Sequence, residues 1–334
     1  MKSTAVVILN FNGIDFLNQF LGNVVENSPE ADIFVIDNYS SDNSVTYIKE
    51  QFPLIGIIQN AKNLGFAGGY NEGLKQVSHE NLVLLNSDVE LSPNWLKYLI
   101  ERSDKTENIA AIQPKILDFK RKNYFEYAGA AGGFLDTLGY SFCRGRVFDT
   151  LEEDHGQYQT STEIFWASGA CFFIKNKIFK ELGGFDDKFF AHMEEIDLCW
   201  RIQNHGFQIV YEPQSVVYHV GGGTLNKSNP FKTFLNFRNN LAMLFKNLPF
   251  LFLLPIIFFR LILDGVSAFK FLKDGNSKDF WAVAKAHFAF YGMIPYLIKQ
   301  RKGSFVGFKK LSKGSVVWKY FVKNQKTYPE ICSK

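Results

Sequence analysis

The chain has 334 residues, 46% of them hydrophobic and 35 of them Phe, with a net charge of only +4. That apolar content excludes a disordered chain, and the length accommodates one large domain with an appendage, or two domains. The charge is uneven: from Lys299 onward there are ten Lys/Arg and one acid, which leaves 27 basic against 32 acidic residues before it.

In chain order, residues 4–10 (TAVVILN) read as a strand, and 14–26 carry helical spacing through Ile14, Leu17, Leu21 and Val24/Val25. A second strand, 33–36, ends at Asp37; Ser41-Asp42 can cap a helix running to about Phe52, and 54–58 make a third strand. Residues 65–73 form a glycine-rich loop that enters a short helix. The run 82–85 (LVLL), bounded by polar residues, has the pattern of a buried parallel strand. Ser92-Pro93 supplies an N-cap and a first-turn Pro for a helix over 95–101. This alternation predicts an α/β fold: a mostly parallel sheet with helices on both faces. After Lys115 it stops, and 118–160, rich in Gly and aromatics, read as an insertion over the mouth of the sheet. Then come a strand at 170–174, a helix at 194–204 closed by Gly206, strand-like stretches at 209–211 and 216–220, and a helix at 229–246. The expected division is an α/β unit, 1–240, and a helical, apolar and basic C-terminal region, 241–334.

In that region, 248–263 are almost wholly apolar, interrupted by Pro249, Pro255 and Arg260. They fall short of the roughly 20 apolar residues a membrane span needs. An aromatic-rich stretch, 280–298, contains Lys285 and His287. Three readings stand: helices lying in a membrane interface, a short re-entrant or spanning hairpin, or a packed subdomain. Lys302, Lys309, Lys310 and Lys313 would add attraction to anionic lipid, about 1 kcal/mol each near the surface. Because the basic tail follows the most apolar part of the chain, a membrane rather than nucleic acid is the expected partner. Cys143, Cys171, Cys199 and Cys332 are scattered, with no C-x-x-C pair, and read as buried free thiols in a reducing compartment. The opening apolar run, 5–9, is too short for a signal peptide. The expected location is cytoplasmic, peripheral or monotopic at the membrane face.

Polar clusters stand at the ends of the predicted strands, where open α/β sheets bind ligands. Asp37, in DNYSSD (37–42), is placed either to contact a nucleoside or to build a turn. The stretch NLGFAGGYN (63–71) can cradle a diphosphate on free backbone N–H groups, or be a tight loop needing positive φ. It lacks the Lys-Ser/Thr of a P-loop. Asn86-Ser87-Asp88 puts a carboxylate just past a buried strand, suited to holding a hard divalent cation. On a helix, Glu195 shares a face with Leu198, Cys199 and Ile202 and should project inward; it is either a general base or a charge complementing the helix dipole. Asp197 and Arg201, four apart, should pair elsewhere. His219, before a run of Gly, is a metal ligand, a phosphate donor or a structural residue.

Together the stretches VVILNFNG (6–13), VIDNYSSDNS (35–44), NLGFAGGYNEG (63–73), LLNSDVEL (84–91), ASGACFFIK (167–175), GGFDDKFFAHMEEIDLCWRIQNHG (183–206) and YHVGGGTL (218–225) resemble glycosyltransferase family 2, of the GT-A fold. They look closest to its rhamnosyltransferase-like branch. The resemblance implies inverting transfer from a dTDP-, UDP- or GDP-linked sugar to a hydroxyl of a glycan or lipid-linked glycan, as in cell-surface polysaccharide assembly. It places Asn10, Asp37, Asn38, Asn63, Gly65, Gly68, Asn71, Asn86 and Ser87 around the donor. It makes Asp88 and His219 ligands of Mg²⁺ or Mn²⁺, with Asn86 where the family motif has its first Asp. The catalytic base would be Glu195, or else Glu194, where the family pattern is Glu-Asp.

Two other classes are weighed. A sugar nucleotidyltransferase would want a basic glycine-rich loop after the first strand, and Asn10-Phe11-Asn12-Gly13 has no Lys or Arg. A non-catalytic sugar-binding relative would have no need to retain both Asp88 and the Glu194/Glu195 pair. Trp166 is either a sugar platform or core.

Overall fold

The computed structural model describes residues 2–221, 229–301 and 304–332. Lys302 of the basic tail and residues 222–225 of the last matched stretch lie outside them. The first third alternates as expected: β1 (Thr4–Asn10), α1 (Ile14–Asn27), β2 (Ala31–Asp37), α2 (Ser44–Gln51), β3 (Gly56–Gln59), α3 (Gly65–Gly73), β4 (Asn81–Leu85), β5 (Val89–Leu91) and α4 (Trp95–Asp104). Next come β6 (Ile109–Asp118) and four short strands, β7 (Gly133–Leu135), β8 (Ser141–Cys143), β9 (Arg146–Val147) and β10 (Thr150–Leu151). They are followed by β11 (Thr162–Glu163), β12 (Cys171–Lys175), α5 (Asn176–Glu181), α6 (Glu194–Asn204) and β13 (Gln208–His219). The chain closes with α7 (Pro230–Asn247), α8 (Phe250–Lys273), α9 (Ser277–Gln300), α10 (Val316–Phe321) and α11 (Tyr328–Cys332).

The main sheet runs β11-β13-β6-β12-β4-β1-β2-β3, with β5 laid against β13. β4, β1, β2 and β3 are parallel, as are β13 and β6; β12 is antiparallel to both β4 and β6. The reversal has a simple cause. β6 ends at the carboxyl edge, the insertion stays there, and β12 therefore starts at that edge and must run back. Both faces are covered. Val7 and Leu84 pack with Tyr70 of α3 and with Leu198 and Trp200 of α6, while Val6, Ile8, Val83 and Leu85 pack with Leu17 of α1 and Trp95 of α4. Continuous apolar runs in the strands follow from that two-sided burial.

Several expectations need correction. β3 starts at Gly56, and Leu54 is fully exposed. The glycine-rich stretch is helical from Gly65. The residue capping α4 is Asn94, in the left-handed region, while Ser92 donates its hydroxyl to the Val216 carbonyl. β6 continues past Lys115, and the insertion contains an antiparallel four-stranded sheet. The two stretches 209–211 and 216–220 are one strand, β13, with a register shift between Glu212 and Val216. Cys332 is exposed, unlike the other three cysteines.

In the C-terminal region Leu241, Leu244, Leu253, Ile257, Phe290 and Leu297 join the core on the α6 face. A boundary at residue 240 passes through α7. α8 continues through Pro255 as one helix of 24 residues, long and apolar enough by length and composition to cross a membrane, and only 28% of its most apolar window is buried. The charge that interrupts it faces the protein: Arg260 donates to the Leu138 carbonyl (2.9 Å) and to Asp264 (3.1 Å), and lies over the Tyr140 ring.

Candidate active site

The first polar cluster forms because β1 and β2 end together. Asn10 and Asp37 are register partners, and Asn10 Nδ2 donates to Asp37 Oδ1 (3.2 Å). Asp37 Oδ2 accepts from the Ser40 N–H (3.1 Å), and Ser40 Oγ accepts from Asn10 Nδ2 and from the Asn12 N–H. Asp42 caps two helices, accepting from the Ser44 and Ile14 N–H groups. The Asp37 side chain is thereby fixed at the strand end, with Tyr39 exposed beside it at positive φ.

Asn38 and Asn63 are used internally. Asn38 Nδ2 donates to Asn63 Oδ1 and to the Gly65 carbonyl, and its Oδ1 accepts from Asn60 Nδ2 and the Leu64 N–H. The N-terminus of α3 is not a free phosphate cradle. The Gly65 N–H donates to Asn63 Oδ1, and the Phe66 and Ala67 N–H groups donate to the Phe190 carbonyl. The glycines instead permit close packing. Gly65 has φ 71°, and a Cβ there would lie 2.5 Å from the Phe190 carbonyl oxygen; one on Gly68 would lie 3.0 Å from Leu64 Cβ. Asn71 ties α3 to the same neighbouring segment, donating to the Phe185 carbonyl (2.8 Å) and accepting from the Phe185 N–H (3.0 Å).

The second cluster depends on β5, which pairs antiparallel with the end of β13 and aligns Val89 with His219. Asp88 Oδ1 consequently lies 3.2 Å from His219 Nε2, and both residues are buried. Asn86 Nδ2 lies 3.4 Å from the same nitrogen, and the Asn86 N–H donates to the Ala170 carbonyl. Ser87 is half-buried between them. On the far side of the ring, Glu126 Oε2 is 3.3 Å from Nδ1. Burial works against charge on the imidazole, yet Asp88 and Glu126 outweigh it and push His219 up to about 10. Burial likewise works against the Asp88 carboxylate, and His219 outweighs it, holding Asp88 below its ordinary value.

Two cis ligands of an octahedral ion with bonds of about 2.1 Å lie about 3 Å apart. The Asp88–His219 pair fits that spacing. Among the described residues no group of three or more His, Cys, Asp or Glu is arranged to hold an ion unaided. The pair therefore suits a hard cation whose remaining ligands are phosphate oxygens and water.

The third cluster is the start of α6. Phe190, His192 and Met193 all have positive φ (65°, 69°, 72°), and α6 begins directly after them. Leu198, Cys199 and Ile202 are fully buried, as the shared face requires. Asp197 accepts from Arg201 Nε, as expected, and also from Lys246 Nζ and Asn247 Nδ2, each at 2.9 Å. Glu194 is buried and Glu195 half-buried, and each has an Oε2 atom that is inaccessible and, among the described residues, without a hydrogen-bond partner. Burial, with Glu195 and Asp197 adding to it, pushes Glu194 well above the usual carboxylate range; burial pushes Glu195 up to about 7. Residues 167–170 connect α6 to the strand end that carries Asp88. Cys199 Sγ accepts from the Ala167 N–H, and three residues on the Ala170 carbonyl accepts from the Asn86 N–H. Trp166 is core: it is buried, donates to the Phe134 carbonyl and packs on Gly133.

Sequence reasoning missed Glu126, which lies in the aperiodic insertion. The one signal was Gly221, where a Cβ would meet Glu126 Oε1 at 2.7 Å.

A curled, mostly parallel sheet with acids gathered at its carboxyl edge and an insertion above them has the architecture of the GT-A glycosyltransferases. The model of the family described as Glycosyl transferase family 2 matches residues 5–183. The chain belongs to that family and is a glycosyltransferase. It is 23% identical over 230 residues to the N-acetylglucosaminyl-diphospho-decaprenol L-rhamnosyltransferase of Mycobacterium tuberculosis, covering 64% of this chain and 75% of the relative. It is 22% identical over 245 residues to the low-salt glycan biosynthesis hexosyltransferase Agl10 of Haloferax volcanii, covering 72% and 74%. Among solved structures, GalNAc-T7 with UDP, GalNAc and Mn²⁺ superposes with a TM-score of 0.57 at 19% identity, over 74% of this chain and about half (48%) of that one. The mannosyltransferase PcManGT of Pyrobaculum calidifontis, with GDP-Man and Mn²⁺, gives 0.52 at 13% identity, over 87% and 75%.

Proposed function

We propose that this glycosyltransferase moves a sugar, with inversion, from a nucleotide-diphosphate donor to a hydroxyl of a glycan or lipid-linked glycan at the inner face of a membrane. Cell-surface polysaccharide assembly is the corresponding setting. The observation that carries the reading is the carboxylate pair Glu194/Glu195, each with a buried Oε2 that has no hydrogen-bond partner among the described residues, at the start of a helix that rests on the segment leading to Asp88.

In this reading Asp37, oriented by Asn10 and Ser40, accepts hydrogen bonds from the nucleoside. Asn38, Asn63, Gly65, Gly68 and Asn71 shape the wall of that pocket through their internal bonds and close packing, and Asn86 and Ser87 line its diphosphate end. Asp88 and His219 hold a divalent cation, Mg²⁺ or Mn²⁺, which when bound supplies Lewis-acid stabilisation to the leaving diphosphate. Glu195 takes the proton of the acceptor hydroxyl. At about 7 its carboxyl is available as carboxylate near neutral pH and is basic for its type. Burial and the neighbouring Glu195 push Glu194 well above the usual carboxylate range, which works against a second negative charge beside Glu195. As the acceptor oxygen bonds to the anomeric carbon, the bond to the diphosphate oxygen breaks on the opposite side, so a single displacement inverts that centre.

The membrane part of the proposal rests on α8 and α9. Phe250, Leu254, Phe258, Phe259, Trp281 and Phe288 are exposed, and Lys270, Lys273 and Lys278 stand at the turn between the helices. An apolar face rimmed by Lys fits helices lying in the headgroup region. The Mycobacterium relative's name specifies a lipid-linked acceptor, which supports the same geometry here.

A thermal-shift screen of dTDP-, UDP- and GDP-sugars with and without Mn²⁺ tests the reading. One donor should raise Tm in a Mn²⁺-dependent way by mass action, and Asp88→Ala should lose the Mn²⁺-dependent part. No shift with any donor would contradict it.

A further inference from the structure

We infer that α10 carries a second lipid-contacting face, separate from the α8–α9 hairpin, which brings the insertion over the active site down onto an anionic membrane surface. The inference rests on the hairpin lying in the headgroup region, as proposed above. On α10 and its C-cap, Trp318, Phe321 and Val322 fall at i, i+3 and i+4, on one side of the helix, and all three are exposed. The opposite side, Val316 and Tyr320, packs into the insertion with Phe142 and Val147. Phe148, at the turn between β9 and β10, meets the rings of Tyr320 and Phe321, with centroids 4.9 and 5.1 Å away. The exposed face is therefore built onto the insertion sheet.

Charge and connectivity select lipid as the occupant. Lys313 and Lys323 stand exposed before and after α10, and the one acid of the tail, Glu330, is engaged by the Lys326 and Thr327 N–H groups. An apolar face holding a Trp and flanked by Lys has the composition of a contact with the membrane interface. A second copy of the chain meeting this face across a two-fold axis would instead set these Lys against their own equivalents. The turn between β7 and β8 ties α10 and the hairpin to one anchor. Asp136 accepts from the Val316 N–H and Thr137 donates to the Gly314 carbonyl, while the Leu138 carbonyl accepts from Arg260 of α8. A hairpin seated in lipid thus carries α10 with it. Three apolar side chains are too few to hold the chain on a membrane unaided, so this contact forms only once the hairpin is in place.

The test uses the two exposed tryptophans as separate reporters. Trp281 lies on α9 of the hairpin and Trp318 on α10, while Trp95, Trp166 and Trp200 are buried. In the full chain, Trp281→Phe leaves Trp318 as the reporter, Trp318→Phe leaves Trp281, and the double substitution gives the background of the buried rings. Each protein is mixed with vesicles of phosphatidylglycerol and phosphatidylcholine brominated near the headgroup end of the acyl chains, which quench indole emission on contact. Both reporters should be quenched beyond the background. Lys313→Ala and Lys323→Ala should each weaken partitioning onto these vesicles about fivefold. Quenching of Trp281 alone overturns the inference and leaves the hairpin reading standing, and quenching of neither overturns both. Unchanged partitioning in both Lys variants also overturns it. Without vesicles, a Trp318 that loses its quenching by acrylamide as protein concentration rises gives the face to a second copy and overturns the assignment to lipid.

Discussion

Glu195→Gln should lower activity and raise stability, and both effects follow from one burial. The carboxyl stands at about 7 against an ordinary 4.5. A difference of about 2.5 units corresponds to about 3 kcal/mol between the two protonation states. The folded-state value is raised, so the folded protein holds the proton more tightly than the unfolded chain. The stabilisation is therefore complete below about pH 4.5 and is lost as pH rises through 7. Because the side chain is only half-buried, about 1–3 kcal/mol is the reasonable range. Glutamine is neutral throughout and escapes the loss. Urea denaturation at pH 5 and pH 8 should show Glu195→Gln gaining 1–3 kcal/mol relative to the unsubstituted protein at the higher pH. Nucleoside-diphosphate release should fall by about 10²–10⁴-fold at pH 8. In the unsubstituted enzyme kcat/KM should climb about tenfold per pH unit up to about 7 and then level off. Full turnover by Glu195→Gln would remove Glu195 from the reaction and shift the base to Glu194. A stability difference that does not change with pH would refute the burial argument itself.

Lys246→Met should be strongly destabilising, because Lys246 Nζ bridges Asp186 (2.6 Å) and Asp197 (2.9 Å) and all three side chains are buried. Breaking a buried pair costs about 3–5 kcal/mol, and a loss below about 1 kcal/mol in urea denaturation would show that the bridge contributes little. The double substitution Phe258→Glu with Phe259→Glu, on the exposed face of α8, should abolish cosedimentation with anionic liposomes and leave thermal melting unchanged. Undiminished cosedimentation would reject lipid as the occupant of that face.

Much of the fold could be read from the sequence wherever burial and local pattern agree. β1 and α6 run over the residues expected of them, because each has a dense apolar face and clear polar or glycine stops. β6 was not assigned at all, because Gln113 and Lys115 interrupt its apolar pattern. Their partners are far away in sequence: Gln113 bonds the Gly129 carbonyl and the Ser168 N–H, and Lys115 reaches Asp154. No local window carries that information. The same limit applies to the polar tips. Asp88 and His219 come together only through the β5–β13 pairing, and Asn38 and Asn63 have the composition of ligand contacts yet spend their hydrogen bonds on each other. A polar residue at a strand end marks the site's edge. Whether it faces the ligand or the loop depends on neighbours that a strand-by-strand reading does not see.

The long helix α7 joins the two halves of the proposed mechanism. Non-glycine residues at positive φ cost about 1–3 kcal/mol each, and the three at Phe190, His192 and Met193 need an external hold. Asn239 provides it, donating from Nδ2 to the carbonyls of Phe189, Ala191 and His192, while Arg238 donates to those of Lys188 and Phe189. Two turns further along the same helix, Lys246 and Asn247 grip Asp197, two residues past Glu195. Tyr296 of α9 donates to Asp186 from the other side. The strained approach to the glutamate pair and the apolar hairpin are therefore bound to one rigid element. If the hairpin lies in the bilayer surface, the height and tilt of Glu195 above that surface are set by packing along α7, and the acceptor hydroxyl of a lipid-linked glycan need only be presented at a fixed distance from the headgroups.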